Sequence, residues 1–194
     1  MSRDVKNQIT EIIKAHQRGV AELQSGSINK IIAAADMITK TLKKNGCVYT
    51  CGNGGSAADA QHIAAEFVGR FERNRKGLAA VALTADTALL TSAANDFGFE
   101  NIFVRQVEAL VKKGDVLWAI STSGTSANVL AAARLAKKKN ARVLAFTGKK
   151  NTPLEKTADV CICANNKSTA RSQEIHQLAY HIICGLAENS FAGR

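Results

Sequence analysis

The sequence predicts an α/β fold in which one parallel sheet is flanked by helices. Short apolar runs, typical of buried strands, alternate along the chain with longer stretches whose apolar residues recur at helical spacing. The chain has 194 residues, enough for one full-sized core, and a single proline. Because no change of composition marks a linker, we expect a single domain over residues 1–194.

Two amphipathic helices are predicted before the first strand. Apolar residues recur at helical spacing from Ile9 to Leu23 and again from Ile28 to Leu42. The segment Ser25-Gly26-Ser27 separates them, and Ser27 is a candidate N-cap. This pair lies outside the alternating pattern, and its apolar stripes need a partner. The sequence therefore predicts that residues 1–45 serve in oligomerisation.

From Cys47 onward the pattern is strand, loop and helix, repeated. Strands are predicted at residues 47–51, 78–83, 115–121, 141–147 and 160–163. Helices are predicted at residues 56–71, 86–94, 99–112 and 127–139, with a long C-terminal helix at 170–191. Strands that alternate with helices indicate parallel pairing, with helices covering both faces of the sheet.

Two short loops rich in glycine and serine carry the first functional signal. Cys51-Gly52-Asn53-Gly54-Gly55-Ser56 follows the first strand, and Ser121-Thr122-Ser123-Gly124-Thr125-Ser126 follows the third. Each loop precedes a helix, whose N-terminal N–H groups attract phosphate at the edge where open α/β sheets bind ligands. Neither loop fits a Walker A motif or a dinucleotide fingerprint, so no nucleotide cofactor is predicted. Such turns also close tight corners without a ligand, but two of similar chemistry favour a sugar phosphate.

A histidine and two carboxylates follow the first loop on one predicted helix face. Asp59, His62 and Glu66 stand at i, i+3 and i+7 and so share that face. His62 and Glu66 could hold one metal ion together or hydrogen-bond as an acid–base pair. A contact on the protein surface is the ordinary alternative for a pair with this spacing.

The C-terminal helix adds a second polar stripe. Gln173, Gln177 and His181 follow i, i+4 and i+8, whereas the other side of the helix is apolar. A site that combines a phosphate cradle, a carboxylate and a histidine suits keto–aldo isomerisation. That reaction needs a base at the sugar carbon and a histidine or metal to polarise the carbonyl.

A polar turn at Asn95-Asp96 ends one of the predicted helices. Its sequence is typical of an Asx turn followed by a glycine cap, and that structural role is the simplest interpretation. Short polar side chains of this kind can equally bind sugar hydroxyls. Both interpretations stay open from the residues alone.

Composition argues against several classes of protein. No apolar stretch approaches the roughly 18 residues of a membrane span, and Met1-Ser2-Arg3-Asp4 lacks the apolar block of a secretory signal, so we expect a cytoplasmic protein. The five cysteines contain no Cys-x-x-Cys pair, which disfavours structural zinc and a redox dithiol. A net charge of +10 invites a nucleic-acid hypothesis, but aromatics are only 5% of residues. Attraction of an anionic substrate explains the charge as well.

Four motifs together resemble the phosphoheptose isomerases of the sugar isomerase (SIS) fold. They are CGNGGSAADAQH at 51–62, ANDFGF at 94–99, ISTSGTSANV at 120–129 and RSQEIH at 171–176, and the likeness covers essentially the whole chain. The resemblance implies a SIS-type domain that converts sedoheptulose 7-phosphate to D-glycero-D-manno-heptose 7-phosphate. In that family the product feeds ADP-heptose synthesis for lipopolysaccharide core. The resemblance also implies a homotetramer with sites built across subunit boundaries.

Site residues follow from the same resemblance, position by position. It implies that Glu66 is the general base and His181 its acid partner. The implied substrate contacts are Asn53, Gly54, Gly55, Ser56, Glu66, Asn95, Asp96, Ser121, Thr122, Ser123, Ser126 and Gln173, of which the residues at 121–126 cradle the phosphate. The residues matching a set that can hold zinc in the family are His62, Glu66, Gln173 and His181. Because a carboxylate bound to zinc is a weaker base, the two roles implied for Glu66 compete.

A non-catalytic binding protein is the main alternative. Some proteins of this fold associate with the replication initiator or sense sugar phosphates, and the +10 charge suits a chromosomal role. A binding protein has no need of both Glu66 and His181, so the isomerase is preferred. An isomerase acting on another sugar phosphate is the third possibility.

Overall fold

The structure is a computed structural model that describes residues 3–192. Five strands form its sheet: β1 (Val48–Gly52), β2 (Ala80–Ala82), β3 (Val116–Ser121), β4 (Arg142–Thr147) and β5 (Val160–Cys163). The helices are α1 (Arg3–Gly26), α2 (Ile28–Lys43), α3 (Gly55–Val68), α4 (Thr87–Phe97), α5 (Ile102–Leu110), α6 (Ala127–Lys138), α7 (Pro153–Thr157) and α8 (Thr169–Asn189). A 3₁₀ turn, Phe99–Asn101, joins α4 to α5. Each strand pairs in parallel with its neighbours, which confirms the predicted α/β class.

The strand order β2-β1-β3-β4-β5 places a switch point between β1 and β3. The chain builds the sheet outward in opposite directions from these two strands, which opens a crevice at their carboxyl ends. Gly52 at the end of β1 pairs with Ile120 near the end of β3. The two Gly/Ser loops therefore leave the sheet at the same level, on either side of that crevice.

Each face of the sheet packs against its own set of helices. Val48, Trp118 and Phe146 point to the face covered by α1, α2, α3 and α8. Leu117 and Val143 point to the opposite face, covered by α4, α5, α6 and α7. All five of these side chains have no solvent exposure, as expected for strands buried on both faces. This packing fixes α3 and α8 side by side.

The N-terminal pair packs against α8 through only part of its surface. Leu23 and Ile31 are buried in the core, whereas Ile9, Ile12 and Ile13 on α1 are 45–53% exposed. Ser27 stands at the N-cap of α2 as predicted, but its side chain makes no capping hydrogen bond. The exposed isoleucines leave an apolar stripe on the outside of α1.

Several element boundaries differ from the sequence prediction for local reasons. Helix α3 was expected to reach residue 71 but ends at Val68, because Gly69 forms its C-cap. The helix expected at 99–112 starts only at Ile102, after Gly98 takes a φ of +83°. Helix α7 was not predicted, although Thr152 caps it by accepting from the Glu155 N–H and a proline follows at the first position. Among residues 3–192, every helix is too short or too polar to cross a membrane.

Candidate active site

The first loop needs glycine at two positions. Gly54 has a φ of +57°, a backbone conformation that side chains disfavour. At Gly55, a Cβ would stand 2.5 Å from the side-chain nitrogen of Gln173, which is closer than atoms can approach. Glycine therefore lets the amide of Gln173, on α8, lie directly against the N-terminus of α3. The predicted substrate residues Gly55 and Gln173 are neighbours.

An amide pair links this loop to the helix that follows β3. Asn53 and Asn128 exchange two hydrogen bonds, each 2.9 Å long, through their side-chain amides. Asn128 is 2% exposed and lies in the first turn of α6. Asn128 lies within the motif at 120–129 but was not among the residues predicted for the site. The pair holds the two loops in a fixed relation across the switch point.

The second loop gathers three serine hydroxyls. Ser121 Oγ lies 2.9 Å from Ser126 Oγ and 3.2 Å from Ser123 Oγ, and it accepts from the Gly124 N–H at 3.1 Å. Ser126 occupies the N-cap of α6, yet its side chain does not cap the helix. The hydroxyls and the N-terminal N–H groups of α6 thus face the same region. Such an arrangement suits an anion.

A small cavity of about 100 Å³ adjoins this loop. Its lining includes Thr122 and Ser123 together with Lys149 and Lys167. The two lysines add positive charge beside the hydroxyl cluster and were not selected from the sequence. Two larger cavities, about 510 and 500 Å³, lie near the amino ends of the strands, away from the two loops. Among the described residues that line them there is no histidine or glutamate.

An acid–base cluster lies where α3 and α8 meet. One ligand atom each from His62, Glu66 and His181 lies within 4.8 Å of the others. The His62 and His181 rings are 5.1 Å apart in an edge-to-face arrangement. Glu66 comes from α3 and His181 from α8, so the side-by-side packing of these helices brings the two groups together within one chain. The side chains are partly exposed, which leaves the cluster open to a ligand.

His62 is held by hydrogen bonds at both ring nitrogens. Its Nε2 lies 2.8 Å from Glu66 Oε1, and its Nδ1 lies 2.9 Å from the hydroxyl oxygen of Tyr180. Tyr180 is 1% exposed, and burial together with the Asp59 carboxylate raises the pKa of its hydroxyl. Tyr180 was not among the residues predicted for the site, because no spacing rule links it to a residue on α3.

The surroundings shift the pKa values of two further groups, His181 and Asp59. Burial and the neighbouring His62 lower the pKa of His181, which Glu66 only partly offsets, so the imidazole is neutral at pH 7. Burial raises the pKa of Asp59 to about 6, against a smaller opposing effect of His62. The Asp59 Oδ2 atom is buried without a hydrogen-bond partner in the described residues. Asp59 shares a helix face with His62 but does not join the three-residue cluster.

A buried ion pair fixes the turn that packs against the cluster. Glu188 Oε atoms accept from the N–H groups of Phe71, Glu72 and Arg73, each at 2.9 Å. Glu188 Oε1 also lies 3.1 Å from Arg75 Nε, and both side chains are almost fully buried. The turn fixed in this way stacks the Phe71 ring on His181, with centroids 5.5 Å apart.

The cluster fits a metal ion of the zinc type. Two imidazole nitrogens and a carboxylate oxygen are the donor set that catalytic zinc sites use, with a further position left for water or substrate. Gln173 was also expected to be a ligand from the family resemblance. The structure places its amide beside Gly55, and its part in a metal site stays a prediction.

The comparisons with known proteins agree with this geometry. The SIS domain family matches residues 11–148. A phosphoheptose isomerase of Thiobacillus denitrificans is 46% identical over 191 residues, which cover 92% of this chain and 97% of the relative. The chain belongs to the phosphoheptose isomerase family of SIS-domain proteins. A relative from a Roseiflexus species, also a phosphoheptose isomerase, is 49% identical over 160 residues, or 82% of this chain and 81% of that protein.

Solved structures of phosphoheptose isomerases have the same fold. The Neisseria gonorrhoeae enzyme matches with a TM-score of 0.90 at 38% identity, over 95% of this chain and 99% of that one. The Francisella tularensis protein matches with a TM-score of 0.92 at 32% identity, over 97% and 100%. The architecture of this family therefore extends over nearly the whole chain.

Not every residue considered from the sequence lies with the others. Asn95 donates to Asp96 at 2.8 Å in the last turn of α4, and in residues 3–192 neither side chain hydrogen-bonds to the two loops. His176 is fully buried and bonds through Nε2 to the Thr147 carbonyl at 3.0 Å, so it is a packing residue. His16 pairs with Glu174 at 2.9 Å on the surface. The role of Asn95 and Asp96 in a phosphoheptose isomerase site stays a prediction.

Proposed function

We propose that this chain is an aldose–ketose isomerase that converts sedoheptulose 7-phosphate to D-glycero-D-manno-heptose 7-phosphate. The observation that carries the proposal is the convergence of Glu66, on the helix that follows the first Gly/Ser loop, with His181, on the helix whose Gln173 lies against that loop. The family's phosphoheptose isomerases support the reaction class. The comparisons lend no support to the alternative of a regulator associated with the replication initiator.

The phosphate end of the substrate belongs at the second loop in this proposal. Ser121, Ser123 and Ser126 offer hydroxyl donors, with Thr122 beside them, and α6 offers N-terminal N–H groups. Lys149 and Lys167 add positive charge at the neighbouring cavity. The sugar then extends across the crevice towards α3 and α8, past Asn53, Gly54, Gly55, Ser56 and Gln173. Asn95 and Asp96 remain candidates for its hydroxyls.

The reaction is a pair of proton transfers. The Glu66 carboxylate takes the proton from C1 of the ketose while a proton is donated to the C2 carbonyl oxygen, which gives an enediol. Loss of the O1 proton and return of the Glu66 proton to C2 then complete the aldose. No electron leaves the sugar, so no external redox cofactor is required. One carboxylate and one proton donor suffice in principle.

His181 is assigned the transfers between the sugar oxygens. Since its pKa is lowered, it is a neutral imidazole that donates a hydrogen bond from N–H to the carbonyl oxygen. The other ring nitrogen can accept a proton, which suits an exchange between O2 and O1. The stacked Phe71 ring and the His62 edge hold its plane.

Zinc is proposed as a cofactor at the same cluster. His62, Glu66 and His181 would hold it, and the family resemblance adds Gln173. When bound, the ion would act as a Lewis acid that polarises the sugar carbonyl. A carboxylate that ligates the ion is a weaker base, so Glu66 is most basic when its oxygen is free.

The proposal also covers the oligomeric state and the cellular compartment. We propose that the chain is one domain, that residues 1–45 and the exposed isoleucines of α1 contact other copies, and that the assembly is a homotetramer. The product would feed ADP-heptose synthesis for lipopolysaccharide core in the cytoplasm. Nucleic acid is not among the proposed partners.

Incubation with sedoheptulose 7-phosphate tests the proposal directly. Purified protein is mixed with the ketose, with a chelator or with added Zn²⁺, and the aldose is followed by NMR. We expect the aldose to appear, and the Glu66→Gln variant to produce none. If a folded wild-type protein forms no aldose under any of these conditions, the proposed reaction is wrong.

A further inference from the structure

His62 lies between a carboxylate and a phenol, and each faces a different ring nitrogen. Glu66 Oε1 is 2.8 Å from Nε2, and the Tyr180 hydroxyl is 2.9 Å from Nδ1. A carboxylate only accepts hydrogen bonds, so the Nε2 atom carries the hydrogen in this arrangement. In a neutral ring, Nδ1 then accepts a hydrogen bond from the tyrosine, whose hydroxyl is protonated at neutral pH.

We propose that Tyr180 is a positioning residue, whose hydroxyl fixes the His62 ring so that Nε2 faces Glu66 and His181. Rotation of the ring by half a turn about its Cβ–Cγ bond would put ring carbons where Nδ1 and Nε2 lie, so the turned ring would lose the Tyr180 contact as well as the Glu66 contact. The ring is partly exposed and therefore has room to turn. The hydroxyl makes one of the two orientations favourable.

The Tyr180 hydroxyl can also hydrogen-bond to the His62 ring when Nε2 ligates a metal ion. A nitrogen that ligates a metal must present its lone pair, so the ring proton then belongs on Nδ1. The Tyr180 oxygen can accept that N–H, because a hydroxyl is both donor and acceptor. A single side chain thus supports His62 in both states without moving. Partners of this kind orient a metal ligand and tune its basicity.

Packing alone does not account for the hydroxyl. The Tyr180 ring is 1% exposed and contacts the His62 and His181 rings at centroid distances of 5.4 and 4.6 Å. Phenylalanine would keep those contacts, so the oxygen is the part that acts on His62. The other tyrosine of the chain, Tyr49, provides a matched comparison, since its hydroxyl donates to the Leu110 carbonyl at 3.1 Å.

The inference rests on the proposed function only in treating His62 as a member of the site. Its test is therefore made without sugar phosphate. Tyr180→Phe removes the hydroxyl and keeps the ring, and Tyr49→Phe makes the same change away from the cluster. Both variants and the wild type are labelled with ¹⁵N-histidine and compared by long-range ¹H–¹⁵N NMR, and each is titrated with Co²⁺ while visible absorption is recorded.

In the wild type we expect His62 to be protonated at Nε2, with Nδ1 accepting a hydrogen bond. Tyr180→Phe should shift the Nδ1 resonance, because Nδ1 loses its hydrogen-bond donor while Glu66 still holds the hydrogen on Nε2, and should raise the Co²⁺ dissociation constant about 10–100-fold. Tyr49→Phe should change neither. An unchanged His62 spectrum in Tyr180→Phe overturns the proposal, as does an unchanged Co²⁺ dissociation constant. If the wild type binds no Co²⁺, the NMR comparison alone decides whether Tyr180 positions His62. A failed isomerase assay would overturn the proposed function but would leave both of these measurements valid.

Discussion

Glu66 and His181 lie on helices that are far apart in sequence, yet their ligand atoms lie within 4.8 Å of each other and of His62. The spacing of His62 and Glu66 on one helix was readable from the sequence because it follows the helical repeat. The contact between His62 and Tyr180, 118 positions apart, was not, because no local pattern encodes it. The pairing of Asn53 with Asn128, 75 positions apart, was missed for the same reason.

Asp59→Asn should stabilise the protein at alkaline pH but not at acidic pH. The pKa of Asp59 rises from 3.8 to about 6 on folding, chiefly through burial. Above pH 6 the carboxylate is charged in both states, so its cost is fully present; below pH 6 the folded state takes up a proton, and the cost declines until it is lost below about pH 3.8. Because the group is partly exposed, we expect a gain in Tm of only about 2–4 °C at pH 8.

Thermal unfolding between pH 5 and pH 8 measures this effect. The difference in Tm between variant and wild type should be clearly smaller at pH 5 than at pH 8, because part of the cost is lost between these pH values. Asp96→Asn, at an exposed position, is the matched control and should show little change. A variant that is less stable than wild type at pH 8 would contradict the assignment of burial as the cause.

Ser121→Ala combined with Ser123→Ala should weaken phosphate binding. The two hydroxyls lie 3.2 Å apart at the head of α6, and each would donate to an anion. We expect the inhibition constant of inorganic phosphate to rise about tenfold or more, since a hydrogen bond to a charged group contributes about 1.5–3 kcal/mol. Ser92→Ala, at an exposed serine of α4, is the control. An inhibition constant equal to that of wild type would place the phosphate elsewhere.

The elements of the fold were largely predictable, and their ends were not. Strands β3 and β4 stand out because their buried runs are continuous and apolar, and α8 because its stripes follow the helical repeat. At the end of α3, Arg75 adds to the Gly69 C-cap by donating to the carbonyls of Glu66 and Phe67 at 2.7 and 2.8 Å, a contact that no helical pattern encodes. Helix α7 has only five residues, too few for a periodic pattern, although its Thr-Pro start was a readable signal.

Glu188→Gln should loosen the turn that connects α3 to β2. The charged carboxylate accepts three backbone N–H groups and pairs with Arg75; these contacts lower its pKa although burial alone would raise it. Removing the charge leaves Arg75 buried without its partner, so we expect a loss of about 3 kcal/mol in the free energy of unfolding. Urea unfolding measures the loss, and hydrogen exchange at residues 71–73 locates it.

A second glutamate gives the control for this experiment. Glu108 forms an exposed pair with Arg105, so Glu108→Gln should cost well under 1 kcal/mol. If Glu188→Gln unfolds at the same urea concentration as wild type, with unchanged hydrogen exchange at residues 71–73, then the contacts of Glu188 do not hold the turn.

The sheet order explains why two separate loops form one site. Placing β1 next to β3 sets their carboxyl ends side by side, and the alternation of strands and helices in the sequence predicts only that the sheet is parallel. Within residues 3–192, an apolar stripe on α1 has no partner. Ile9, Ile12 and Ile13 are exposed there, and burying such a stripe between copies would stabilise an oligomer.

Ile13→Glu should dissociate the assembly. We expect the wild type to have about four times the 20.6 kDa chain mass, and a charge in the stripe to lower it because burying an unpaired carboxylate is costly. Sedimentation equilibrium gives the mass. Asn7→Asp, at an exposed polar position on the opposite side of the same helix, should leave it unchanged. A wild type that sediments at the mass of one chain would remove residues 1–45 from any interface.

Solvent-deuterium incorporation into sedoheptulose 7-phosphate tests the central claim most directly, since it reports the proton transfer at C1 itself. In deuterated buffer, wild type and Glu108→Gln should exchange that hydrogen, as followed by proton NMR. Glu66→Gln, still folded, should reduce the exchange rate at least ~100-fold, the contribution expected of a general base. Exchange by Glu66→Gln at the wild-type rate would contradict the account.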